Sequence, residues 1–505
     1  MSYQLRPYQD VGSKWLSART GGILGDEQGL GKTIQAIAAL APGTPVIVVC
    51  PAVAKGVWIK HFAWRTDFTT MRMNGRANWA WPEPGQVLVC NYDILPPWLE
   101  DGEWPTVPPE GLTVILDEAH YAKNPAATRT KRSSALCRAA RAANGRAWGL
   151  TGTPIKNRPP DLWCMLGVLG LQEGTWRSRS RFQEAMGGED WSTWDPSAVK
   201  KDTPDVLRRV LLRRNLEDVV LDLPGRNYED VEVELSEEDQ ARITAEVVAY
   251  MRVAGVDLDT ATFEDVLRSR AGGGGAHLMQ ARKLLATAKV PALLDLLDSW
   301  EEQNPNDPPL VWSAHKDPLI ALSKRLGWDC MTGDDSAKAR SVMVEKFEAG
   351  KLHGLALSIG ACGTAITLTR ARQVYFLDKG WSPTDNDQAA SRNYRIGQKR
   401  PVLYTSLVAD HWLDKRVQHL LEEKEAMIRA TVKAAAVSAE GAMFSEPTVV
   451  ATVTTSDGAC RRGRVEQVLN RAGPLDKRVL QSLLAFAVWD ARQEKLAENM
   501  IARYS

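Results

Sequence analysis

A glycine-rich stretch near the start of the chain, GDEQGLGKT at residues 25–33, has residue types that suit the binding of nucleotide phosphates. In a phosphate loop, backbone N–H groups surround the phosphates, a lysine reaches the β- and γ-oxygens, and a Ser or Thr hydroxyl binds Mg²⁺. The candidate residues for these roles are Gly29, Leu30, Gly31, Lys32 and Thr33. Asp26 departs from the strict pattern, which has glycine at that position. A plain turn before a helix therefore remains the alternative.

The second candidate for chemistry is the acidic pair Asp117 and Glu118, which follows an apolar run in LTVILDEAH at residues 112–120. Hydrolysis of a nucleoside triphosphate needs one carboxylate to hold Mg²⁺ and another to orient and deprotonate the attacking water. An isolated Asp-Glu pair is usually part of a solvated loop. Its place at a strand end, downstream of a phosphate loop, favours the catalytic interpretation.

The elements around these residues predict an α/β protein. Continuous β-branched runs, typical of strands buried inside a parallel sheet, lie at residues 45–51, 86–93 and 112–120. Helical stretches alternate with them, including 129–143, and a short amphipathic helix over 5–16 precedes the phosphate loop. Ligands of such sheets bind outside the carboxyl ends of the strands, which is where the acidic pair lies.

A second α/β series follows a linker of polar and proline residues, EEQNPNDPP. Its predicted strands lie at 310–315, 354–360 and 372–378, and its predicted helices at 318–326 and 340–348. We therefore predict lobe 1 over 1–160, a helical insertion and linker over 161–225, the start of lobe 2 with a helical insertion over 226–309, lobe 2 over 310–436, and an accessory segment over 437–505. The last segment is either a small accessory domain or a solvated tail.

Composition limits the class of protein. The 505 residues include 63 Lys+Arg and 62 Asp+Glu, so no overall positive field attracts nucleic acid, and such a site must be a local groove. The seven cysteines form no C-x-x-C pair, which argues against a disulfide framework or a zinc site. No apolar run approaches the roughly 18 residues of a membrane span. We expect a protein of a reducing cytoplasm without a membrane segment.

An ordered series of motifs resembles the Swi/Snf-like branch of the superfamily-two helicases. The series is LRPYQ (5–9), GDEQGLGKT (25–33), VVCPAVAKGVW (48–58), NYDIL (91–95), DEAHYAKN (117–124), LTGTPIKN (150–157), LRRNLEDVVLDLPGR (212–226), SIGACGTAITLTRARQVYFLDKGWSP (358–383) and QAASRNYRIGQKRPV (388–402). That branch writes its phosphate loop as D-E-x-G-L-G-K-T, so Asp26 agrees with it. The resemblance covers about residues 3–425 in family order.

The resemblance implies two RecA-like parallel-sheet lobes in tandem, with helical insertions and a small C-terminal helical extension. It also implies ATP and Mg²⁺ as ligands. Lys32 would bind the phosphates, Thr33 and Asp117 would hold Mg²⁺, and Glu118 would be the catalytic base. Gln9 would read the adenine edge, with Arg6 nearby as part of the nucleotide site.

On lobe 2, the resemblance makes Arg392 and Arg395 the arginine fingers, with Gln388 beside them. Their three-residue spacing would place both on one face of a predicted helix. Thr151 and Thr153 would relay the state of the γ-phosphate between the lobes.

The resemblance further implies DNA as the partner, bound through its phosphates without sequence preference. Candidate contacts are Lys55, Arg129, Lys131 and Arg132 on lobe 1, and Thr364 in the loop 361–365 on lobe 2. A basic cluster alone is usually a solvated face. Cys362 and Ala365 depart from the family's glycines, and Tyr394 replaces its usual histidine.

The predicted function is an ATP-dependent translocase on double-stranded or forked DNA, active in repair, recombination or replication in the cytoplasm of a bacterial cell or a phage-infected host. We expect a monomer with a possible protein partner for residues 437–505. One alternative is a strand-separating DNA helicase. Another, from a different class, is an ATP-switched DNA clamp without turnover, although a clamp has no use for a base and two fingers. An RNA helicase has no motif-level support.

Overall fold

The structure of the protein, a computed structural model, describes residues 4–76, 79–101, 106–156, 158–188, 196–220, 223–257, 275–360, 366–437, 450–454 and 460–464. Two parallel sheets with helices on both sides dominate it. The prediction of two α/β lobes in tandem is confirmed. None of the helices in these ranges is long and apolar enough to cross a membrane.

Lobe 1 is built on a seven-stranded sheet. Its strands are β1 (Gly21–Leu24), β2 (Val46–Cys50), β3 (Thr69–Arg72), β4 (Gln86–Asn91), β5 (Thr113–Asp117), β6 (Arg146–Leu150) and β7 (Leu211–Leu212). All neighbours are parallel, in the order β3-β4-β2-β5-β6-β1-β7. Because β1 and β5 both border β6, the loops at their carboxyl ends lie at the same edge of the sheet. The phosphate loop and the acidic pair follow these two strands.

The described part of the chain up to residue 219 contains nine α-helices. They are α1 (Pro7–Ser17), α2 (Lys32–Ala38), α3 (Lys55–Phe62), α4 (Trp98–Asp101), α5 (Thr128–Ala142), α6 (Pro159–Leu169), α7 (Arg179–Ala185), α8 (Thr203–Arg208) and α9 (Leu216–Val219). The core of lobe 1 contains Leu162 of α6, Phe182 of α7 and Leu207 of α8. Much of the segment predicted as an insertion and linker, up to β7, thus packs as part of lobe 1, because its apolar faces complete that core.

Lobe 2 is built on a six-stranded parallel sheet. Its strands are β8 (Arg226–Val233), β9 (Leu310–Ser313), β10 (Trp328–Met331), β11 (Gly354–Ser358), β12 (Gln373–Phe376) and β13 (Val402–Ala409), in the order β10-β11-β9-β12-β13-β8. The described helices are α10 (Glu237–Ala254), α11 (Gly275–Ala288), α12 (Val290–Gln303), α13 (Lys316–Leu322), α14 (Ala337–Glu348), α15 (Pro383–Ala390) and α16 (Trp412–Ile428), followed by a π-helical turn (Arg429–Lys433). An antiparallel ribbon pairs Val450–Thr454 with Cys460–Arg464.

Helix α16 connects the two lobes. Leu413 and Leu420, in its first half, belong to the core of lobe 2, whereas Met427 and Ile428 at its end belong to the core of lobe 1. Lys424, between these two groups, is only 3 % exposed. Burial, and then the positive charge of Lys123, lower the pKa of its ammonium group to about 7, against the opposite effect of Asp161 and Asp385.

Replacing Lys424 by Met should stabilise the fold, and the gain should depend on pH. In the unfolded chain a lysine keeps its proton to about pH 10, so unfolding takes up a proton above pH 7, and wild-type stability rises with pH in that window. Below pH 7 the cost of the buried charge is present in full. We expect the melting temperature of Lys424→Met to exceed that of wild type by about 2–4 °C at pH 6.5 and by less at pH 9.5. Lys351→Met, at an exposed position, is the control; an equal gain at both pH values would contradict the prediction.

Candidate nucleotide site between the lobes

The phosphate loop leaves β1 and ends where α2 begins at Lys32. Gly29 and Gly31 have φ of 90° and 71°, a left-handed conformation that glycine adopts without steric cost. A Cβ atom on Gly31 would lie 2.6 Å from Nε2 of Gln9. The left-handed conformation therefore favours glycine at position 31, and a larger residue there would also have to displace the end of the Gln9 side chain.

The Lys32 side chain lies back along this loop. Its Nζ donates to the carbonyl oxygens of Asp26 at 2.7 Å and Glu27 at 3.3 Å. Burial lowers the pKa of its ammonium group, while the charges of Glu118 and Asp117 oppose that shift. The ammonium group thus lies close to both predicted catalytic acids, where it can meet the terminal phosphates of a nucleotide. Thr33 follows in the first turn of α2 and is half-buried.

Asp26 has a structural partner that explains its departure from the generic loop pattern. Its Oδ1 accepts from Nε of Arg214 at 2.9 Å and its Oδ2 accepts from Nη2 of Arg214 at 2.5 Å. Gln35 of α2 donates to the same carboxylate at 3.0 Å and accepts from Arg214 at 2.7 Å. Asp26 and Arg214 are both completely buried. A glycine at position 26 would leave this guanidinium buried without its carboxylate.

Asp117 is held at the end of β5 by two donors. Nε1 of Trp58 donates to its Oδ2 at 2.7 Å, and the backbone N–H of Glu118 donates to its Oδ1 at 3.1 Å. Tyr92 fixes the backbone here by donating its hydroxyl to the Asp117 carbonyl at 2.8 Å. Burial and the adjacent Glu118 charge raise the pKa of the Asp117 carboxyl above its ordinary range, whereas the Trp58 hydrogen bond opposes the shift.

Glu118 has a left-handed backbone, with φ of 49°. Such a conformation is uncommon outside glycine and is characteristic of functional sites. Nδ1 of His120 lies 3.3 Å from Oε2 of Glu118 and 3.1 Å from Oγ1 of Thr151. Burial acts to raise the pKa of Glu118, but the hydrogen bond and charge of His120, together with Lys32 and Arg392, outweigh it and hold that pKa below its ordinary value.

Thr151 connects this carboxylate to the coupling motif at the end of β6. Thr151 is completely buried, and its Oγ1 accepts from the backbone N–H of Thr153 at 3.1 Å. The contacts thus form a chain from Glu118 through His120 to Thr151 and Thr153. That the two threonines relay the state of the γ-phosphate stays a prediction. This series of contacts is the path along which such a signal would pass.

The two predicted fingers lie at the edge of lobe 2 that faces the phosphate loop. A Cβ atom placed on Gly29 would lie 3.9 Å from Nε of Arg395. Nη1 of Arg395 donates to Ile366 O and Thr367 Oγ1, each at 3.0 Å. Burial, and then the charge of Arg392, lower the pKa of the Arg395 guanidinium to about 10.

The prediction that Arg392 and Arg395 share a helix face is wrong. Helix α15 ends at Ala390, and both arginines follow it in a series of turns. Gln398 organises these turns, because its Nε2 donates to carbonyl oxygens at Thr369, Ala371 and Asn393. Tertiary hydrogen bonds here replace those that a continued helix would make.

Direct contacts join the lobes around this site. Ser391 Oγ lies 2.5 Å from Gln28 Oε1 of the phosphate loop. Lys156, after β6, forms an ion pair of 2.9 Å with Asp385 of α15. Gln388 is buried on α15 one turn before Ser391, whose hydroxyl donates to the Gln388 carbonyl at 2.9 Å. The groups predicted on separate lobes therefore face one cleft.

The adenine-side candidates lie at the start of α1. The backbone N–H of Arg6 donates to Gln9 Oε1 at 3.1 Å, and Gln9 Nε2 donates to Leu30 O at 3.4 Å. Arg6 is exposed, whereas Gln9 and Leu30 are buried. Gln9 thus connects α1 to the phosphate loop through the Leu30 carbonyl.

The predicted DNA contacts have different surroundings. Lys55 is 6 % exposed and donates to Met73 O at 2.9 Å and Asn91 Oδ1 at 3.1 Å. Its ammonium group is therefore hydrogen-bonded inside lobe 1 and does not face solvent. Arg132 forms an ion pair with Glu100, with 2.7 Å between its Nε and the Glu100 Oε1. Arg129 and Lys131 are exposed on α5. Thr364, like Cys362 and Ala365, lies outside the described residues.

Several site residues were not predicted from the sequence, chiefly Trp58, Gln35, Arg213, Arg214 and Gln398. The two arginines belong to the run LLRRN, inside the segment 161–225 that is predicted as a helical insertion and linker. Their neighbours in β7, Leu211 and Leu212, are buried, and a charged residue beside such a pair is a usable signal for a buried ion pair. Where the described residues are concerned, no three His, Cys, Asp or Glu side chains cluster as a metal site.

Comparison with known proteins agrees with this arrangement of motifs. A family model described as the SNF2-related domain matches residues 8–269, and one described as the helicase conserved C-terminal domain matches residues 288–397. The protein belongs to the SNF2-related family. The first model covers the phosphate loop, the acidic pair and the segment 161–225, and the second model ends just after the predicted fingers Arg392 and Arg395.

Relatives of this SNF2-related chain include proteins named as ATP-dependent helicases. An uncharacterized ATP-dependent helicase of Mycoplasma genitalium is 27% identical over 474 residues, covering 85% of this chain and 42% of the relative. A putative ATP-dependent helicase/translocase of Bacillus subtilis is 28% identical over 458 residues, covering 84% of this chain and 48% of the relative. The chain thus spans less than half the length of these curated relatives.

Among solved structures, the chain is similar to the SWI2/SNF2 ATPase core of Sulfolobus solfataricus in complex with dsDNA. The sequence identity is 22%, the TM-score is 0.39, and the match covers 86% of this chain and 94% of that chain.

Proposed function

We propose that this protein is a DNA-stimulated ATPase that uses ATP hydrolysis to move along double-stranded or forked DNA, in DNA repair, recombination or replication. The observation that supports it best is the division of the site between the lobes. Lys32, Asp117 and Glu118 lie on lobe 1, and Arg392 and Arg395 face them from lobe 2. Turnover then requires a closed cleft, and cycles of closure are the motion that a translocase needs.

In this proposal each side chain has one task in hydrolysis. The backbone of Gly29–Thr33 surrounds the phosphates, and the Lys32 ammonium exchanges its two carbonyl contacts for phosphate oxygens. Glu118 accepts a proton from the attacking water, while His120 holds its carboxylate in place. Arg392 and Arg395 stabilise the negative charge on the transferring phosphoryl group.

The oxygen ligands for Mg²⁺ would come from the Thr33 hydroxyl and the Asp117 carboxylate. Mg²⁺ prefers hard oxygen donors and is commonly bound by one or two carboxylates together with substrate phosphates, so these residues fit it. When bound, it supplies positive charge that polarises the phosphoryl oxygens. The raised pKa of Asp117 reflects a buried acid next to a second acid, a setting in which a cation is favourable.

For DNA, we propose that Arg129 and Lys131 on lobe 1 contact backbone phosphates and that Thr364 contributes from lobe 2. Lys55 and Arg132 are left out of this set because Lys55 is buried and hydrogen-bonded to Asn91, and Arg132 forms an ion pair with Glu100, both inside lobe 1. Phosphate contacts of this kind give binding that weakens steeply with salt and does not depend on sequence.

ATP turnover measured with duplex, forked and single-stranded DNA and with RNA tests this function. We expect the strongest stimulation with duplex or forked DNA, because both lobes can then bind one backbone. Displacement of a third strand from a triplex, without unwinding of a tailed duplex, is the expected result for a translocase. Unwinding of the tailed duplex would instead select the strand-separating helicase, and nucleotide binding without turnover would select the clamp.

A further inference from the structure

The chain that connects the two lobes runs alongside the phosphate loop before it reaches lobe 2. It pairs with β1, because the backbone N–H of Ile23 donates to the carbonyl oxygen of Val210 at 2.8 Å. The pairing continues past the end of β1, with Gly25 N–H donating to Leu212 O at 2.7 Å and Glu27 N–H donating to Arg214 O at 2.9 Å. This linker strand, residues 210–214, therefore extends the sheet into the first part of the phosphate loop.

Two arginines of the linker strand add side-chain contacts to the same loop. Arg214 makes the buried forked contact with Asp26 and also donates to the carbonyl of Tyr8 at 2.5 Å. Arg213 donates to Gly25 O at 2.9 Å and to Gly152 O at 2.8 Å, and it is 5 % exposed. The linker strand thus ties the phosphate loop to α1 and to the coupling motif after β6.

The far end of the linker carries the connection to lobe 2. Glu27 of the phosphate loop accepts from the backbone N–H of Leu216 at 2.8 Å, and its carboxylate lies 3.6 Å from the guanidinium of Arg226. Arg226 is the first residue of β8 in lobe 2 and also pairs with Glu217 at 2.8 Å. A displacement of β8 relative to lobe 1 must therefore stretch the contacts of Glu27.

We propose that the linker strand is a direct coupling element, through which the position of lobe 2 sets the affinity of the phosphate loop for nucleotide, with Arg214 and Glu27 as positioning residues. This inference rests on the proposed function, since it concerns the same nucleotide site. Binding of nucleotide and closure of the lobes must favour each other equally, because a coupling free energy is reciprocal. DNA that closes the lobes then tightens nucleotide binding through the linker, in addition to bringing in the fingers.

The first test replaces Arg214 by Lys in the full chain. Lysine keeps the positive charge but is a point donor that lacks the planar fork, so it cannot hold both oxygens of Asp26 as arginine does. We expect the Kd of a fluorescent ATP analogue to rise by about tenfold, because one charge-assisted hydrogen bond is lost. The kcat at saturating ATP should change by less than about threefold. Arg208→Lys is the matched control: Arg208 is half-buried at the end of α8, just before the linker strand, and pairs with Asp205 rather than with the phosphate loop, so both values should stay unchanged.

The second test separates coupling from simple support of the fold. Glu27→Gln removes the charge that faces Arg226 but keeps an oxygen for the Leu216 N–H. Glu217→Gln removes the other carboxylate of Arg226 without touching the phosphate loop. The quantity measured is the ratio of the ATP-analogue Kd values without and with duplex DNA. We expect this ratio to fall toward one in Glu27→Gln and to stay at the wild-type value in Glu217→Gln.

The outcomes distinguish this inference from the function on which it rests. If wild type binds and hydrolyses ATP while Arg214→Lys and Glu27→Gln retain its Kd and its DNA ratio, the coupling role of the linker is overturned and the ATPase remains. Equal loss of the ratio in Glu27→Gln and Glu217→Gln also overturns it, because the effect then runs through Arg226 alone. If wild type neither binds nor hydrolyses ATP, the proposed function fails as well. Should Arg214→Lys not fold, the glutamate pair decides the question.

Discussion

Glu118→Gln should lower DNA-stimulated ATP turnover by about 10²- to 10⁴-fold, the usual contribution of a general base. Gln keeps the size of the side chain and an oxygen that can face His120, but its amide cannot accept the proton of the attacking water. The measurement is the steady-state rate of phosphate release at saturating ATP and duplex DNA. The Kd of the ATP analogue should stay within a few fold of wild type, because Lys32 and the loop backbone, which bind the phosphates in this proposal, are unchanged.

The control for this variant is Glu173→Gln, at an exposed position of lobe 1, which should keep wild-type turnover. The left-handed φ of 49° at position 118 is the same constraint for Glu and Gln, so the substitution should not alter the melting temperature through backbone strain. Unchanged turnover in Glu118→Gln would remove Glu118 from the role of base. Loss of nucleotide binding together with turnover would instead indicate that Glu118 supports the site structurally.

Continuous apolar runs were the most reliable guide to the fold. The strands predicted at 45–51, 86–93 and 112–120 correspond to β2, β4 and β5, because each is buried along nearly its whole length. Short strands such as β1 (Gly21–Leu24) were not predicted, since two of its four residues are glycine and its pairing is set by its neighbours. β7 is only two residues long, so it is recognised as a strand from its pairing with β1 and not from its own sequence.

The site shows a similar division between local and tertiary information. The phosphate-loop pattern to which Gly31 and Lys32 belong lies within nine consecutive residues, so it is visible in the sequence. Arg214 binds Asp26 across 188 positions of the chain, and no local periodicity carries that pairing. Lys55 and Arg132 look like surface charges in the sequence, but the fold brings Lys55 into a hydrogen bond with Asn91 and Arg132 into an ion pair with Glu100.

Arg395→Ala should reduce turnover by about 10³- to 10⁵-fold while leaving ATP-analogue binding nearly unchanged. The guanidinium lies beside the phosphate loop, yet its Nη1 is bound to Ile366 O and Thr367 Oγ1 on lobe 2. A residue anchored on lobe 2 contributes to the reaction only when the cleft closes, so its loss should affect kcat far more than the affinity of the open form. Single-turnover hydrolysis, together with the analogue Kd, measures the two effects separately.

Arg400→Ala is the matched control, because Arg400 lies five residues further along the same segment and pairs with Asp307 at 2.5 Å and the Arg370 carbonyl at 2.8 Å. Neither contact of Arg400 reaches the phosphate loop, so turnover should be retained. Arg395→Lys adds a finer comparison: the charge remains but the fork is lost, and we expect turnover between that of Arg395→Ala and wild type. If Arg395→Ala kept wild-type turnover while Glu118→Gln lost it, hydrolysis would be a reaction of lobe 1 alone, and closure of the cleft would no longer support the proposed translocation.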